Sequence, residues 1–348
     1  MSDGRVTAAP APSPVQGLTD PPHEALIRFD DVTVRFGARL AVDHASMALR
    51  EGRTLGIVGE SGSGKTTCVR MALGLQRPSE GRMWFRDRVY PTRWRDLRAI
   101  RRHVGFVFQD PYDSLDPRMT IGDIVAEPLR AHGLGGADVR DRVASMLDAI
   151  GLPDAPLDSH PSRYSGGGRQ RIAIARGLIL DPDVLVCDEP TASLDVSVQA
   201  QIVNLLLSLK RSRNISVIFV SHDLDLVRRM ADDIVVMYAG RVLEAGPAQV
   251  VAGRPQHPYT SALLSAVPGD HPRARKLAGR ARPATDDHEA PRDHCIFEPR
   301  CDRAAERCRS EAPVLGPASG GVDAACFYPL TASVPGEEHP RSGRAEEE

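Results

Sequence analysis

The sequence predicts an α/β fold with a parallel sheet at its core. Two near-continuous apolar runs, at residues 184–187 and 215–220, are typical of central strands that are covered on both faces. A stripe of apolar residues at helical spacing lies between them, and a third apolar run, at 55–58, precedes a glycine-rich turn. Strands that alternate with helices in this way predict a doubly wound α/β domain.

The composition is ordinary for a soluble globular protein, with 41% hydrophobic and 26% charged residues among 348. The formal net charge of −2 argues against a nucleic-acid-binding protein, which usually carries a strong basic patch. We find no apolar run as long as a membrane span and no signal peptide. We therefore expect a cytoplasmic chain that reaches a membrane only through a partner, with disordered tails at 1–24 and 331–348.

The first predicted strands fall at residues 26–36, where apolar and polar residues alternate with one change of phase. The alternation predicts antiparallel strands that are half exposed to water. The apolar residues fall on one phase before two aspartates and on the other phase after them: Ile27 and Phe29, then Val32, Val34 and Phe36.

Residues 59–66, with the sequence GESGSGKT, match the pattern G-x-x-x-x-G-K-[ST] of a loop that binds nucleoside triphosphates. The predicted strand before the loop and the predicted helix after it, at 67–73, supply the context that this binding requires. Glycines let the backbone wrap around phosphate oxygens so that successive N–H groups point inward. Lys65 can reach the outer phosphates and Thr66 can ligate magnesium. The alternative is a glycine-rich turn that binds nothing.

Two adjacent acids, Asp188 and Glu189, follow the apolar run at 184–187. The carboxyl end of such a strand is where the ligands of α/β sheets bind. Asp188 is predicted to hold magnesium through water, and Glu189 to polarise an attacking water. The alternative is a pair of exposed acids that ends a strand.

Ser165, Gly166 and Gly167 stand at the predicted start of another helix. The serine side chain and the bare glycine N–H groups make a second phosphate-facing cradle, although a simple helix cap is the alternative. Because one nucleotide does not need two cradles, we expect the second to serve a nucleotide held by another subunit.

Taken together, these motifs resemble the ATP-binding cassette (ABC) ATPases of transporters. The resemblance covers roughly residues 26–268 and implies a parallel-sheet core, an antiparallel β subdomain and a helical subdomain. It further implies that two cassettes face each other head to tail and sandwich two ATP molecules. The motifs stand in the family's order: 59–66, Gln109, 165–167, 188–189, 193–195 and His222.

The resemblance implies a role for each matching residue. Phe36 would stack on adenine, where the family more often has Tyr, unless it is an ordinary core Phe. Gln109 would sense magnesium and the γ-phosphate, His222 would position the attacking water, and Asp195 would cross the dimer contact. The implied ATP contacts are Phe36, Gly59, Ser61, Gly62, Ser63, Gly64, Lys65, Thr66, Thr67, Ser165, Gly166, Gly167 and Asp195; the implied catalytic residues are Lys65, Gln109, Glu189 and His222; and the implied magnesium ligands are Thr66, Gln109 and Asp188.

Gly168 departs from the family pattern, which usually has Gln after Ser-Gly-Gly. Its loss of a side-chain amide predicts a weaker contact across the dimer but retained ATP binding.

Two further stretches, at 109–118 and 257–264, resemble the ATPases of dipeptide and oligopeptide importers. The resemblance implies ATP hydrolysis that drives peptide uptake through two permease subunits, with a second ATPase subunit and, indirectly, an extracytoplasmic solute-binding protein. It places the chain at the cytoplasmic face of the cell membrane. The alternatives are an importer of nickel or another small solute, and a regulatory cassette with little turnover.

Four cysteines follow with the spacing C-x5-C-x6-C-x17-C: Cys295, Cys301, Cys308 and Cys326. Disulfides are not expected in a cytosolic chain, so clustered thiolates suggest a metal, and the spacing is wider than that of a zinc ribbon. It suits a 4Fe-4S cluster held by four thiolates, which the resemblance also implies; zinc and free thiols are the alternatives. We expect an ABC ATPase domain at 25–255 and a cysteine-bearing C-terminal domain at 256–330.

Overall fold

A computed structural model of the chain describes residues 25–266 and 292–331. The tails expected at 1–24 and 331–348 lie almost entirely outside these residues. So does the stretch at 269–293, whose Pro, Arg, Asp and His content predicts a loop or linker. Within the described ranges, the strands are β1 (Ala25–Phe36), β2 (Arg39–Arg50), β3 (Thr54–Val58), β4 (Glu80–Phe85), β5 (Arg88–Val89), β6 (Val104–Val107), β7 (Val184–Asp188), β8 (Ser216–Ser221), β9 (Asp233–Tyr238), β10 (Arg241–Pro247), β11 (Gly316–Pro317) and β12 (Asp323–Ala324). The helices are α1 (Lys65–Ala72), α2 (Trp94–Arg102), α3 (Pro111–Ser114), α4 (Ile121–Ala131), α5 (Val139–Ala149), α6 (Gly166–Leu178), α7 (Val196–Arg213), α8 (Leu224–Met230), α9 (Ala248–Gly253), α10 (Pro258–Ala266) and α11 (Glu306–Ser310).

The smaller sheet is antiparallel, with the strand order β2-β1-β4-β5. The sequence predicted several half-exposed strands at 26–36, but β1 is one continuous strand. Its pairing with β2 shifts register between Phe29 and Val32, and Asp31 between them has a φ of 51°. This bulge is the physical cause of the phase change in the sequence, because an extra residue turns the following side chains to the other face. Apolar residues of both phases are consequently buried.

The larger sheet has the order β11-β12-β10-β9-β3-β8-β7-β6. Neighbouring strands pair in parallel along the run β9-β3-β8-β7-β6, as the apolar runs predicted. Strands β3, β7 and β8 are buried along their whole length. At the other edge, β10, β12 and β11 pair antiparallel. Because these parallel strands share a direction, the loops that follow β3, β6, β7 and β8 all lie at the carboxyl ends of the strands, on the same side of the sheet.

The segment between β6 and β7 is helical, as predicted. Helices α4, α5 and α6 pack on one another and bury an apolar core that includes Ile124, Leu147 and Ile172. Within the described residues, no helix is long and apolar enough to cross a membrane.

The C-terminal segment packs against the larger sheet. The sequence predicts a helix that starts at Pro258 and packs through Tyr259, Leu263 and Leu264. Helix α10 begins at Pro258 and buries Tyr259 completely, while Leu263 and Leu264 are partly buried. Residues 292–331 then contribute β11 and β12 to the sheet edge next to β10. The residues around the cysteines are therefore part of the same folded body as the phosphate loop.

Candidate functional site

The loop at 59–64 has a shape that only glycine permits at several positions. A side chain at Gly59 would clash with the carbonyl oxygen of Met237, and one at Gly64 would lie 2.5 Å from that of Ala41. Gly62 and Gly64 also have φ values of 79° and 104°, which favour glycine. The Oγ atom of Ser63 is buried and has no hydrogen-bond partner among the described residues. A tight backbone cradle with an unused polar group suits a phosphate.

Lys65 is the first residue of α1 and is folded back across this loop. Its Nζ donates to the carbonyl oxygens of Gly59 and Glu60, at 2.8 Å each, and lies 4.0 Å from Oε1 of Glu189. Burial lowers the pKa of Lys65, against the opposing effect of Glu189, Asp188 and Glu60. The N-cap of α1 is Gly64, which offers no side chain to the first N–H groups of the helix. The positive end of α1 and the ammonium group thus face the cradle together.

Asp188 ends β7 with its side chain buried beside Thr66. Burial raises the pKa of Asp188, and so does the neighbouring Glu189; Lys65 and a hydrogen bond from Thr66 oppose the rise. A carboxylate and a hydroxyl beside a phosphate cradle fit Mg²⁺, which binds proteins through few ligands and takes the rest from phosphates and water.

Two predicted catalytic side chains, those of His222 and Gln109, converge on the carboxylate of Glu189. Nδ1 of His222, which follows β8, lies 3.1 Å from Oε2 of Glu189, and Nε2 of Gln109, which follows β6, donates to the same oxygen at 3.4 Å. The backbone N–H of Glu189 donates to Val220 at 2.9 Å, and its φ is 45°. A non-glycine residue with positive φ carries backbone strain, so the neighbouring strands hold this carboxylate in an unusual direction.

The second cradle lies on different elements from the phosphate loop. Ser165 caps α6 by accepting a hydrogen bond from the N–H of Gly168 at 3.3 Å, so the alternative role of helix cap is real. A side chain at Gly167 would lie 2.7 Å from Val198, and one at Gly166 would lie 3.3 Å from Leu194. These glycines therefore let α6 pack closely on the segment that follows the acidic pair.

Asp195 and Phe36 occupy exposed positions. Asp195 caps α7 by accepting hydrogen bonds from the N–H of Val198 at 2.9 Å and from Oγ of Ser197 at 2.8 Å. Phe36 ends β1 with 46% of its surface exposed, which excludes the alternative of an ordinary core side chain.

A cleft of about 700 Å³ opens beside Gln109 and Asp188. The half-buried Arg176 of α6 borders this cleft, donates to the carbonyl oxygen of Ser114 at 2.6 Å, and lies over the ring of Phe108 at 5.2 Å. A second cleft of similar volume also borders Arg176 and is lined by residues of α3 and the loop that follows it. The two clefts place a groove between the glutamine of the site and the helical segment.

The four C-terminal cysteines line one small cavity, which also includes His257 and Phe297. Burial raises the pKa of Cys295 to about 11 and that of Cys301 to about 12, and it also raises the pKa of Cys326. In the part of the chain that the structure describes, no group of three or more His, Cys, Asp or Glu side chains is placed to hold a metal ion. The structure therefore gives the predicted 4Fe-4S cluster no support. Cys68 and Cys187 are buried in the core.

Sequence analysis missed the contacts between the C-terminal segment and the phosphate loop. The N–H of Glu60 donates to Oη of Tyr259 at 2.9 Å, and the carboxylate of Glu60 pairs with Arg300. These partners are 199 and 240 residues away from Glu60 in the chain, so no local motif could have predicted the contacts.

The fold and site define a class of protein: an α/β nucleotide-binding domain whose phosphate loop, acidic pair and histidine meet at one sheet edge. Comparison with known families narrows this class. Residues 42–192 match the family model described as "ABC transporter", and residues 243–308 match the one described as "Oligopeptide/dipeptide transporter, C-terminal region".

The chain is 42% identical over 290 residues to the dipeptide transport ATP-binding protein DppF of Haemophilus influenzae, covering 83% of this chain and 89% of that protein. It is 43% identical over 284 residues to the oligopeptide transport ATP-binding protein OppF of Salmonella typhimurium, covering 79% of this chain and 84% of that protein. The chain thus belongs to the ATP-binding proteins of ABC transporters, a family of ATPases coupled to transport, as the motifs predicted.

Solved structures agree with this fold. CbiO1 from Clostridium perfringens, part of the ABC transporter complex CbiONQ, superposes with a TM-score of 0.62 at 27% identity, covering 74% of this chain and 99% of that chain. The ATP-binding cassette MJ0796, a dimer in a post-hydrolysis state with ADP and Pi, gives a TM-score of 0.58 at 29% identity, covering 64% and 98%.

Proposed function

We propose that this chain hydrolyses ATP to energise the uptake of dipeptides or oligopeptides through a membrane transporter. The observation that carries the proposal is the convergence of Gln109 and His222 on the Glu189 carboxylate beside the phosphate loop. The relatives that are named for dipeptide or oligopeptide transport, and the match of the C-terminal region, support the substrate class. They give no support to the alternatives of nickel uptake or mere regulation.

In this proposal, Lys65 exchanges its two carbonyl partners for the outer phosphates of ATP. Glu189 orients the attacking water and draws its proton, because its carboxylate is the acceptor on which the neighbouring polar groups converge. Protonated at Nδ1, His222 donates to that carboxylate and helps to orient it. Mg²⁺, when bound by Thr66 and Asp188 with Gln109 nearby, supplies positive charge that neutralises the phosphates.

The remaining ATP contacts come from a second cassette, either another copy or a paralogue. Ser165, Gly166 and Gly167 at the start of α6, with Asp195, would meet the nucleotide held by the partner. The exposed position of Asp195 and the bare glycine backbone of α6 support this arrangement. The other contacts would come from this chain's own loop, α1 and the exposed Phe36: Phe36, Gly59, Ser61, Gly62, Ser63, Gly64, Lys65, Thr66 and Thr67.

Two permease subunits would dock in the groove between Gln109 and the helical segment, and a solute-binding protein would act through them. The two clefts that border Arg176 support this placement, which would hold the chain at the cytoplasmic face of the membrane. We assign the ATPase domain to residues 25–255 and the C-terminal domain to 256–330.

The iron–sulfur cluster stays a prediction that rests on the spacing of the four cysteines. Protein purified without oxygen would contain iron and absorb broadly in the visible region if the prediction holds. Colourless, iron-free protein would contradict it.

Co-purification with its permeases tests the proposed function. The complex, reconstituted in liposomes with a peptide-loaded binding protein, is expected to hydrolyse ATP faster than without peptide and to accumulate that peptide. Stimulation by nickel, but not by peptides, would contradict the substrate class. A wild-type rate as low as that of the Glu189→Gln variant would contradict the motor function.

A further inference from the structure

Arg300 of the C-terminal segment forms an ion pair with Glu60 of the phosphate loop. Nη1 of Arg300 donates to Oε2 of Glu60 at 2.8 Å, and Nη2 donates to Oε1 at 2.8 Å. Two parallel charge-assisted hydrogen bonds fix the orientation of a carboxylate as well as its position. The Arg300 side chain is only 10% exposed and that of Glu60 is 37% exposed, so the ion pair is partly shielded from water.

The surroundings hold the guanidinium group rigidly. It lies 5.5 Å from the ring of Tyr238 and 5.8 Å from that of Phe297, and it donates to Oη of Tyr238 at 3.3 Å. The rings of Tyr238, Tyr259 and Phe297 also contact one another, with centroids 4.7 to 5.4 Å apart. An arginine held among packed aromatic rings can position its partner with little loss of side-chain entropy on binding.

Glu60 connects the C-terminal segment to Lys65. Its N–H donates to Tyr259, its carboxylate pairs with Arg300, and its carbonyl oxygen accepts from Nζ of Lys65. When Lys65 gives up that carbonyl to turn to a phosphate, the loop loses an internal hydrogen bond, and the two contacts from the C-terminal segment remain to keep Glu60 in place.

We propose that Arg300 is a positioning residue of the ATP site, which acts through Glu60 to keep the phosphate loop in its binding shape when Lys65 engages phosphate. The proposal rests on the proposed function only for the identity of the nucleotide. It also gives the C-terminal segment a task in nucleotide binding that does not depend on any metal in the cysteine cavity.

A double-mutant cycle on the full-length chain tests the proposal, with the affinity for a fluorescent ATP analogue and Mg²⁺ as the readout. Arg300→Met and Glu60→Gln should each weaken binding by about tenfold, the effect expected for charge-assisted hydrogen bonds. The double variant should bind no worse than either single variant, because the second change removes a partner that is already lost. Arg300→Lys should fall in between, since an ammonium group cannot form the fork.

Arg309→Ala is the matched control, because Arg309 belongs to the same segment and pairs with Glu298 at 3.1 Å, away from the loop. It should bind ATP like the wild type. Unfolding temperatures identify variants that lose their fold; if Arg300→Met unfolds, Arg300→Lys and Glu60→Gln carry the test.

Wild-type affinity in folded Arg300→Met protein would overturn the proposal. A loss that persists unchanged in the Glu60→Gln background would also overturn it, because Arg300 would then act by another route. These readouts need only ATP binding. A chain that binds ATP without peptide-stimulated hydrolysis would therefore contradict the proposed function separately.

Discussion

Nδ1 of His222 lies 3.1 Å from Oε2 of Glu189, and the two residues follow neighbouring parallel strands. The strained backbone of Glu189 turns its carboxylate toward the imidazole. The sheet therefore presents the acceptor and its positioning group as one unit, and their separate contributions to hydrolysis should not be additive.

Replacement of Glu189 by Gln should lower the rate of ATP hydrolysis by about 100-fold or more, since it removes the group that accepts the proton of water. ATP binding should persist, because Lys65 and the phosphate loop are unchanged. Steady-state hydrolysis and equilibrium binding of the same preparation measure the two effects. Loss of binding together with hydrolysis would show that the carboxylate shapes the site rather than acting on water.

Substitutions of Lys65 and Lys210 should have different effects, the first on ATP binding and the second on folding stability. Lys65→Ala should abolish measurable binding of ATP with Mg²⁺, because the ammonium group in the cradle is lost. Lys210→Ala, which removes an ion pair of 2.7 Å with Asp232 on the far side of the fold, should lower the unfolding temperature and leave ATP affinity unchanged. The prediction fails if the two variants lose ATP affinity equally.

Gly168→Gln should raise ATPase activity, since it restores the amide that the family pattern has at the contact between cassettes. Its Cβ would lie 3.1 Å from Cβ of Tyr164, so that ring must shift by a few tenths of an ångström. Gly167→Ala should do the opposite, because its Cβ meets Val198 at 2.7 Å. Hydrolysis rates of the assembled transporter compare the two, and a lower rate in the Gln variant would contradict the prediction.

Asp188 lowers the stability of the nucleotide-free protein as the pH rises. Burial raises the pKa of Asp188 above its ordinary value of 3.8, so the folded state binds the proton more tightly than the unfolded chain does. This residue therefore destabilises the nucleotide-free protein as the pH rises through about 3.8 to its folded pKa, and the penalty is constant above that value.

Asp188→Asn removes the penalty and should raise the unfolding temperature of the nucleotide-free protein at pH 7. It should also remove the further stabilisation that ATP with Mg²⁺ gives the wild type. Thermal unfolding with and without nucleotide tests both effects. A lower unfolding temperature for nucleotide-free Asp188→Asn protein at pH 7 would contradict the assignment.

The motifs of the candidate site could be located in the sequence because their chemistry is local. The phosphate loop and the acidic pair are short motifs attached to apolar strands, and parallel strands bring their carboxyl ends together. The bulge at Asp31 was visible only as a phase change, since sequence alternation does not distinguish one bent strand from two. The two-residue strand β12 and the pairing of Glu60 with Arg300 gave no local signal, because both depend on how the C-terminal segment packs.

Peptide transport by the reconstituted complex tests the central claim most directly. With ATP, Mg²⁺ and a peptide-loaded binding protein, liposomes that contain the wild-type chain and its permeases should accumulate peptide in proportion to the ATP hydrolysed, and those with Glu189→Gln should not. Hydrolysis that continues at the same rate with and without peptide, and without uptake, would contradict the account.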